Sequence, residues 1–146
     1  MDLSLVDFIE VRSGGDARRW AEAVWLGFGG EGRAPQSLLS LADGMRNDPS
    51  LRLATAVLGG VDAGAFLLAV PETGREAGVY YFAVLPELRR RGVASAMMEE
   101  AMRLARSRGK RRVVLQATPA GVPFYRSAGF EPLFEIPLFS TTDDVF

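Results

Sequence analysis

Residues 84–94 read Val84-Leu85-Pro86-Glu87-Leu88-Arg89-Arg90-Arg91-Gly92-Val93-Ala94, and this stretch decides the fold. An apolar strand runs into it and a long helical pattern leaves it, so a glycine-bearing turn joins the two. A helix N-terminus carries unpaired N–H groups and the positive end of the helix dipole, which makes it a seat for a phosphate. Further on, Phe124-Tyr125-Arg126-Ser127-Ala128-Gly129-Phe130 sets a tyrosine on a short helix after another strand. Together the two stretches point to a chain that holds a pyrophosphate-containing molecule and brings a weak acid to its reactive end.

Outward from the turn, Val93, Ala94, Met97, Ala101, Leu104 and Ala105 recur at helical spacing until Gly109 ends the helix. Residues 112–117 read as a buried strand, 120–128 as a short helix and 130–139 as a last strand interrupted by Pro132 and Pro137. On the N-terminal side, strands are expected at 51–58, 63–70 and 77–84, joined by short turns that make antiparallel neighbours. A first strand at 3–11 and helices at 16–28 and 36–45 precede them. The expected class is α/β with a mixed, mostly antiparallel sheet flanked by helices, in one domain spanning residues 1–146.

Two missing residue types narrow the chemistry. Without cysteine there is no thiolate nucleophile, disulfide or zinc–thiolate site; without histidine the commonest general base is gone. A net charge of −1 argues against bulk nucleic-acid binding. No apolar run reaches the ~18 residues needed to span a bilayer, and residues 1–10 lack a basic leader, so the expectation is a cytoplasmic chain without membrane contact.

The Arg89-x-x-Gly92-x-Ala94 spacing resembles the acetyl-CoA motif of the GNAT N-acetyltransferase superfamily, R/Q-x-x-G-x-G/A. Phe82-Ala83-Val84-Leu85-Pro86 resembles that family's splayed central strand, and Thr118-Pro119-Ala120-Gly121 with Phe124-Tyr125 and Gly129-Phe130 resembles its later tyrosine-bearing segment. The resemblance implies transfer of an acetyl group from acetyl-CoA to an amine, either a small molecule or a protein. The backbone of Arg89, Arg90, Arg91, Gly92, Val93 and Ala94 would cradle the pyrophosphate, Gly92 leaving room for close approach. One of the arginines, or Lys110 to Arg112, would meet the 3′-phosphate. Main-chain groups of Phe82, Ala83 and Val84 would pair with the pantetheine arm, with residues 113–117 as the wedge's second wall. Tyr125 would protonate the departing thiolate.

The base is less clear from sequence. In the histone-modifying branch of the family a glutamate sits on the central strand, and the matching position here is Gly78. Glu76 is the stand-in, with Tyr80 and a water chain, or Glu31 in the glycine-rich loop, as alternatives. Trp20, Trp25 and Phe28 either pack in the core, which their helical spacing favours, or line an acceptor pocket. The absence of cysteine favours direct attack in a ternary complex.

Two rival readings are a non-catalytic acyl-CoA-binding regulatory module and a small RNA-binding domain using the two arginine-rich stretches. Only sixteen residues follow Phe130. The last strand pair is therefore expected to be shortened or bent, leaving an edge that a second copy could cover as a homodimer.

Overall fold

In the computed structural model, which describes residues 5–137 and 139, the first helix α1 (Gly14–Gly27) starts two residues earlier than its apolar periodicity predicts. The cause is a capping box. The Asp16 N–H donates to Ser13 Oγ at 3.1 Å and the Ser13 N–H donates back to Asp16 Oδ2 at 3.1 Å. Gly14 and Gly15 thereby become the first turn, where N–H groups lack helical partners in any case. Ala17, Trp20, Ala21 and Val24 form the buried stripe of α1. Against α1 lies α2 (Gln36–Met45), whose Ala42 is buried.

Among the described residues the sheet has five strands in chain order: β1 (Val6–Glu10), β2 (Leu51–Leu58), β3 (Val61–Ala69), β4 (Glu76–Val84) and β5 (Arg112–Leu115). The first four are antiparallel neighbours and β5 runs parallel to β4. Residues 3 and 4 of the expected first strand lie outside the described residues. A strand's side chains alternate between faces. Ala65 and Leu67 accordingly join Trp20, Val24 and Leu53 in the core under α1 and α2. On the other face α3 (Val93–Ser107) comes so close that a Cβ on Gly64 would lie 2.8 Å from Met97 Sδ. Glycine at 64 is what allows that approach.

Contacts divide the chain into two compact units, with the boundary between Gln116 and Ala117. The sheet and the three helices named so far belong to the first. The second contains a 3₁₀ turn at Pro119–Gly121 and the short helix α4 (Val122–Ser127). The strand expected over 130–139 is absent among its described residues, 130–137 and 139. Pro132 and Pro137 remove two ladder donors from that stretch. Leu133 and Phe134 are 72% and 75% exposed there. The strand β5 is also shorter than expected, ending at Leu115 rather than residue 117.

Candidate functional site

The turn between β4 and α3 takes its shape from two left-handed residues. Arg90 has φ 63° and Gly92 has φ 81°. Gly92 is the N-cap of α3, and among the described residues no side chain caps the helix. The Ala96 N–H closes the first turn onto the Gly92 carbonyl at 3.0 Å, and no acidic residue sits in that turn. The N–H groups at the start of an uncapped helix, next to a left-handed residue, form a concave positive surface suited to a phosphate. Sequence reasoning valued Gly92 for the side chain it lacks; its positive φ is a second reason for glycine there. Val93 is buried and anchors the helix start, while Arg90 and Arg91 are exposed.

Arg89 has a different task from its two neighbours. Its Nη2 donates to the Gly27 carbonyl at 2.9 Å and its Nε to the Val84 carbonyl at 3.2 Å. The side chain ties the end of α1 to the end of β4. The two are already close, since a Cβ on Gly27 would fall 2.6 Å from that of Ala83. Lys110, offered from sequence as a 3′-phosphate contact, is corrected by the structure. Its ammonium is buried and donates to the carbonyls of Pro71, Thr73 and Gly74, the latter two at 3.3 and 3.0 Å. Three carbonyls fill the three donors of an ammonium group. Lys110 therefore holds the turn that leads into β4, and only Arg111 and Arg112 of that run stay exposed.

The β4–β5 ladder runs from Glu76↔Arg112 to Val79↔Leu115 and stops, while β4 continues to Val84. Tyr80, Tyr81, Phe82, Ala83 and Val84 thus extend past the last β5 partner. Against β3 the register slips in the same stretch, with Leu67 opposite Tyr80 but Ala65 opposite Ala83. Tyr81 and Phe82 together face Phe66, and Tyr81 has φ 52°. This β-bulge was not read from the sequence. The available signal was three aromatic residues in a row, Tyr80-Tyr81-Phe82, where a regular half-buried strand would alternate.

Glu76, Gly78 and Tyr80 share one face of β4 ahead of the bulge. The Tyr80 ring lies over Gly78, where an added Cβ would be 2.7 Å from the ring and 3.0 Å from the phenolic oxygen. Glu76 is exposed, and its Oε2 accepts the Arg75 N–H at 3.2 Å, beside the turn. Glu31 is exposed, and its carbonyl accepts the Trp25 indole N–H at 3.0 Å. Phe28 is 61% exposed, whereas Trp20 is fully buried and so follows the core-packing reading.

In the second unit, Tyr125 is half-buried between the rings of Phe124 and Phe130, at centroid distances of 5.4 and 5.9 Å. Burial pushes its phenol above the ordinary tyrosine value, which favours the protonated form. Gly129, at φ 97°, turns the chain so that the Phe130 N–H reaches the Tyr125 carbonyl at 2.9 Å. That turn is the physical sense of the glycine–aromatic pair: the glycine ends α4 and returns an aromatic ring to the tyrosine.

This architecture, a five-stranded mixed sheet between helices with an uncapped helix start after β4, is that of an acetyltransferase fold. The family model described as the acetyltransferase (GNAT) family matches residues 17–130, and the chain belongs to that family. Among solved structures it is similar to AAC(6′)-Iy in complex with a CoA bisubstrate analogue, at 16% identity and TM-score 0.77, over 94% of this chain and 99% of that one. A transcriptional regulator from Bacillus halodurans is similar at 20% identity and TM-score 0.76, covering 93% and 99%. So is a predicted acetyltransferase with acetyl-CoA from Clostridium acetobutylicum, at 17% and 0.68, covering 92% and 96%. A comparison with curated proteins finds no match.

Proposed function

We propose that this acetyltransferase moves acetyl from acetyl-CoA to a primary amine by direct attack in a ternary complex, with residues 1–146 acting as one catalytic domain. The observation that carries the reading is the uncapped start of α3, framed by left-handed Arg90 and Gly92, directly after a strand that outruns its β5 partner. Backbone N–H groups around Gly92, Val93 and Ala94 receive the pyrophosphate, and Arg90 and Arg91 add charge. Main-chain groups of Phe82, Ala83 and Val84 receive the pantetheine arm.

The amine nitrogen attacks the thioester carbonyl carbon, and collapse of the tetrahedral intermediate breaks the C–S bond. The CoA thiolate takes its proton from the Tyr125 phenol. The amine's proton leaves to Glu76 through water, with Tyr80 on the same strand face as the alternative relay. That the fold resembles an enzyme holding a CoA–aminoglycoside-type analogue makes polyamine sugars sensible first acceptors. The expected location is the cytoplasm. Exposed apolar residues after Phe130, together with the short β5, support a homodimer as the resting state, which mass in solution tests directly.

The test is acceptor-dependent release of CoA, read with a thiol reagent across a panel of amines. The chain has no cysteine, so the protein contributes no background. Release that needs both an amine and acetyl-CoA supports catalysis. Tight acetyl-CoA binding with no release for any amine supports instead a regulatory CoA-binding module. No binding sinks both.

A further inference from the structure

We propose that Trp20, a fully buried core residue of α1, is a positioning residue that holds the β4 bulge in register and thereby sets the turnover rate. The inference rests on the reading above that Phe82, Ala83 and Val84 receive acetyl-CoA.

The bulge is an unstable element by itself. A bulky residue with positive φ is a true outlier for an L-amino acid and persists only when its surroundings hold it. Tyr81 at φ 52° is that residue. Trp20 meets both sides of the irregularity. Its indole N–H donates to the Phe66 carbonyl at 2.9 Å, and Phe66 is the β3 residue faced by both Tyr81 and Phe82. Its ring meets the Tyr81 ring edge-on, with centroids 5.6 Å apart and planes at 68°. Side-chain N–H and ring thus engage the one carbonyl and the one strained residue that define the bulge. Packing alone needs no donor: an apolar ring of similar size would fill the same core space among Ala17, Ala21 and Ala65.

The consequence for function follows from strand geometry. A strand advances ~3.3 Å per residue, and losing a bulge moves the following residues by one position and onto the opposite face. Phe82 is the bulge's second residue, and Ala83 and Val84 lie immediately after it. A slip there shifts every main-chain group offered to the thioester, and displacements of ~1 Å can already cost about a hundredfold in rate.

The experiment is a double-mutant cycle on Trp20→Phe and Tyr81→Gly, read by kcat and KM for acetyl-CoA, thermal melting, and hydrogen exchange at the amides of Phe82 to Val84. Glycine tolerates positive φ without strain, so Tyr81→Gly removes the need for a clamp. We expect Trp20→Phe to melt cooperatively and to keep KM within about threefold. Its kcat should fall by roughly ten- to a hundredfold while exchange after the bulge quickens. In the Tyr81→Gly background the same substitution should cost less than about threefold, since coupled residues are non-additive. Equal kcat losses in both backgrounds, or a lowered melt with unchanged kcat and exchange, would overturn the proposal and leave Trp20 as packing. Should Trp20→Phe not fold, benzothienylalanine at position 20 keeps the ring volume and removes the N–H. If the wild type neither binds nor turns over acetyl-CoA, the function reading fails instead. Exchange at Phe82 to Val84 then decides the clamp by itself.

Discussion

The junction between β4 and α3 and the segment around Tyr125 solve their problems with different materials. The junction is built of backbone: two left-handed residues, an uncapped helix start, and an arginine whose guanidinium is spent on carbonyls. The Tyr125 segment is built around one side chain, held between two flanking rings, whose burial raises the phenol above its ordinary value. The difference teaches where each can fail. A backbone site breaks when a residue cannot adopt the torsion, whereas a side-chain site breaks when one functional group is lost.

Removing the Tyr125 hydroxyl is the hardest test of that contrast. Tyr125→Phe keeps both ring contacts, so kcat for thiol release is expected to fall by about 10²–10⁴-fold, the usual worth of a general acid, with KM for acetyl-CoA little changed. An unchanged kcat would make the ring, not the phenol, the reason for tyrosine. Burial also raises the folded phenol's pKa above its unfolded value near ~10. The resulting stability is present below the unfolded pKa and is lost as pH rises through the folded one. In a 295 nm titration, the difference between wild type and Tyr125→Phe should appear only above pH ~10.

The backbone site should fail at Gly92. Wild type with acetyl-CoA at about a hundred times its dissociation constant gains ~2.7 kcal/mol, and Gly92→Glu should lose this gain in a thermal melt while its unliganded transition stays cooperative. A retained shift would place the cofactor elsewhere.

Two basic residues sharpen the comparison further. Lys110→Met strips the donor from three carbonyls, and leaving such groups unpaired costs about 1–3 kcal/mol, measurable by urea unfolding. Its acetyl-CoA affinity should hold once folded. Arg91→Ala should do the reverse, with unchanged stability, weaker acetyl-CoA binding and a shallower salt dependence. If Lys110→Met weakens binding and leaves stability alone, the assignments exchange.

The smallest effect is expected at the capping box of α1. Ser13→Ala should cost ~1 kcal/mol without touching turnover. The backbone N–H of Arg12 and the bonds to Ser13 hold the Asp16 carboxyl below its usual value. Its contribution is therefore present above the unfolded pKa and fades as pH falls through the folded one. An Asp16→Ala variant whose deficit does not shrink as pH falls would argue against the box.

Local chemistry made much of this legible. The apolar period of 93–105 marks α3, Gly109 ends it, and Tyr125 followed by Gly129 and Phe130 was readable as a unit, because a left-handed glycine and its aromatic follow each other directly. Pro132 and Pro137 are equally legible: they remove two ladder donors, and no strand forms among the described residues of 130–139.

By itself, then, the sequence determined the order of elements as far as α4, the mixed sheet, the glycine turn and the family, since periodicity and turn residues act within a few positions. Tertiary structure alone decided that Arg89 and Lys110 spend their side chains on carbonyls and that Trp20 reaches the bulge. Those bonds join residues 62, 36 and 46 positions apart, and no local pattern records which carbonyl a distant side chain will find. The bulge decided which face Ala83 and Val84 take, because one extra residue resets the alternation for everything after it.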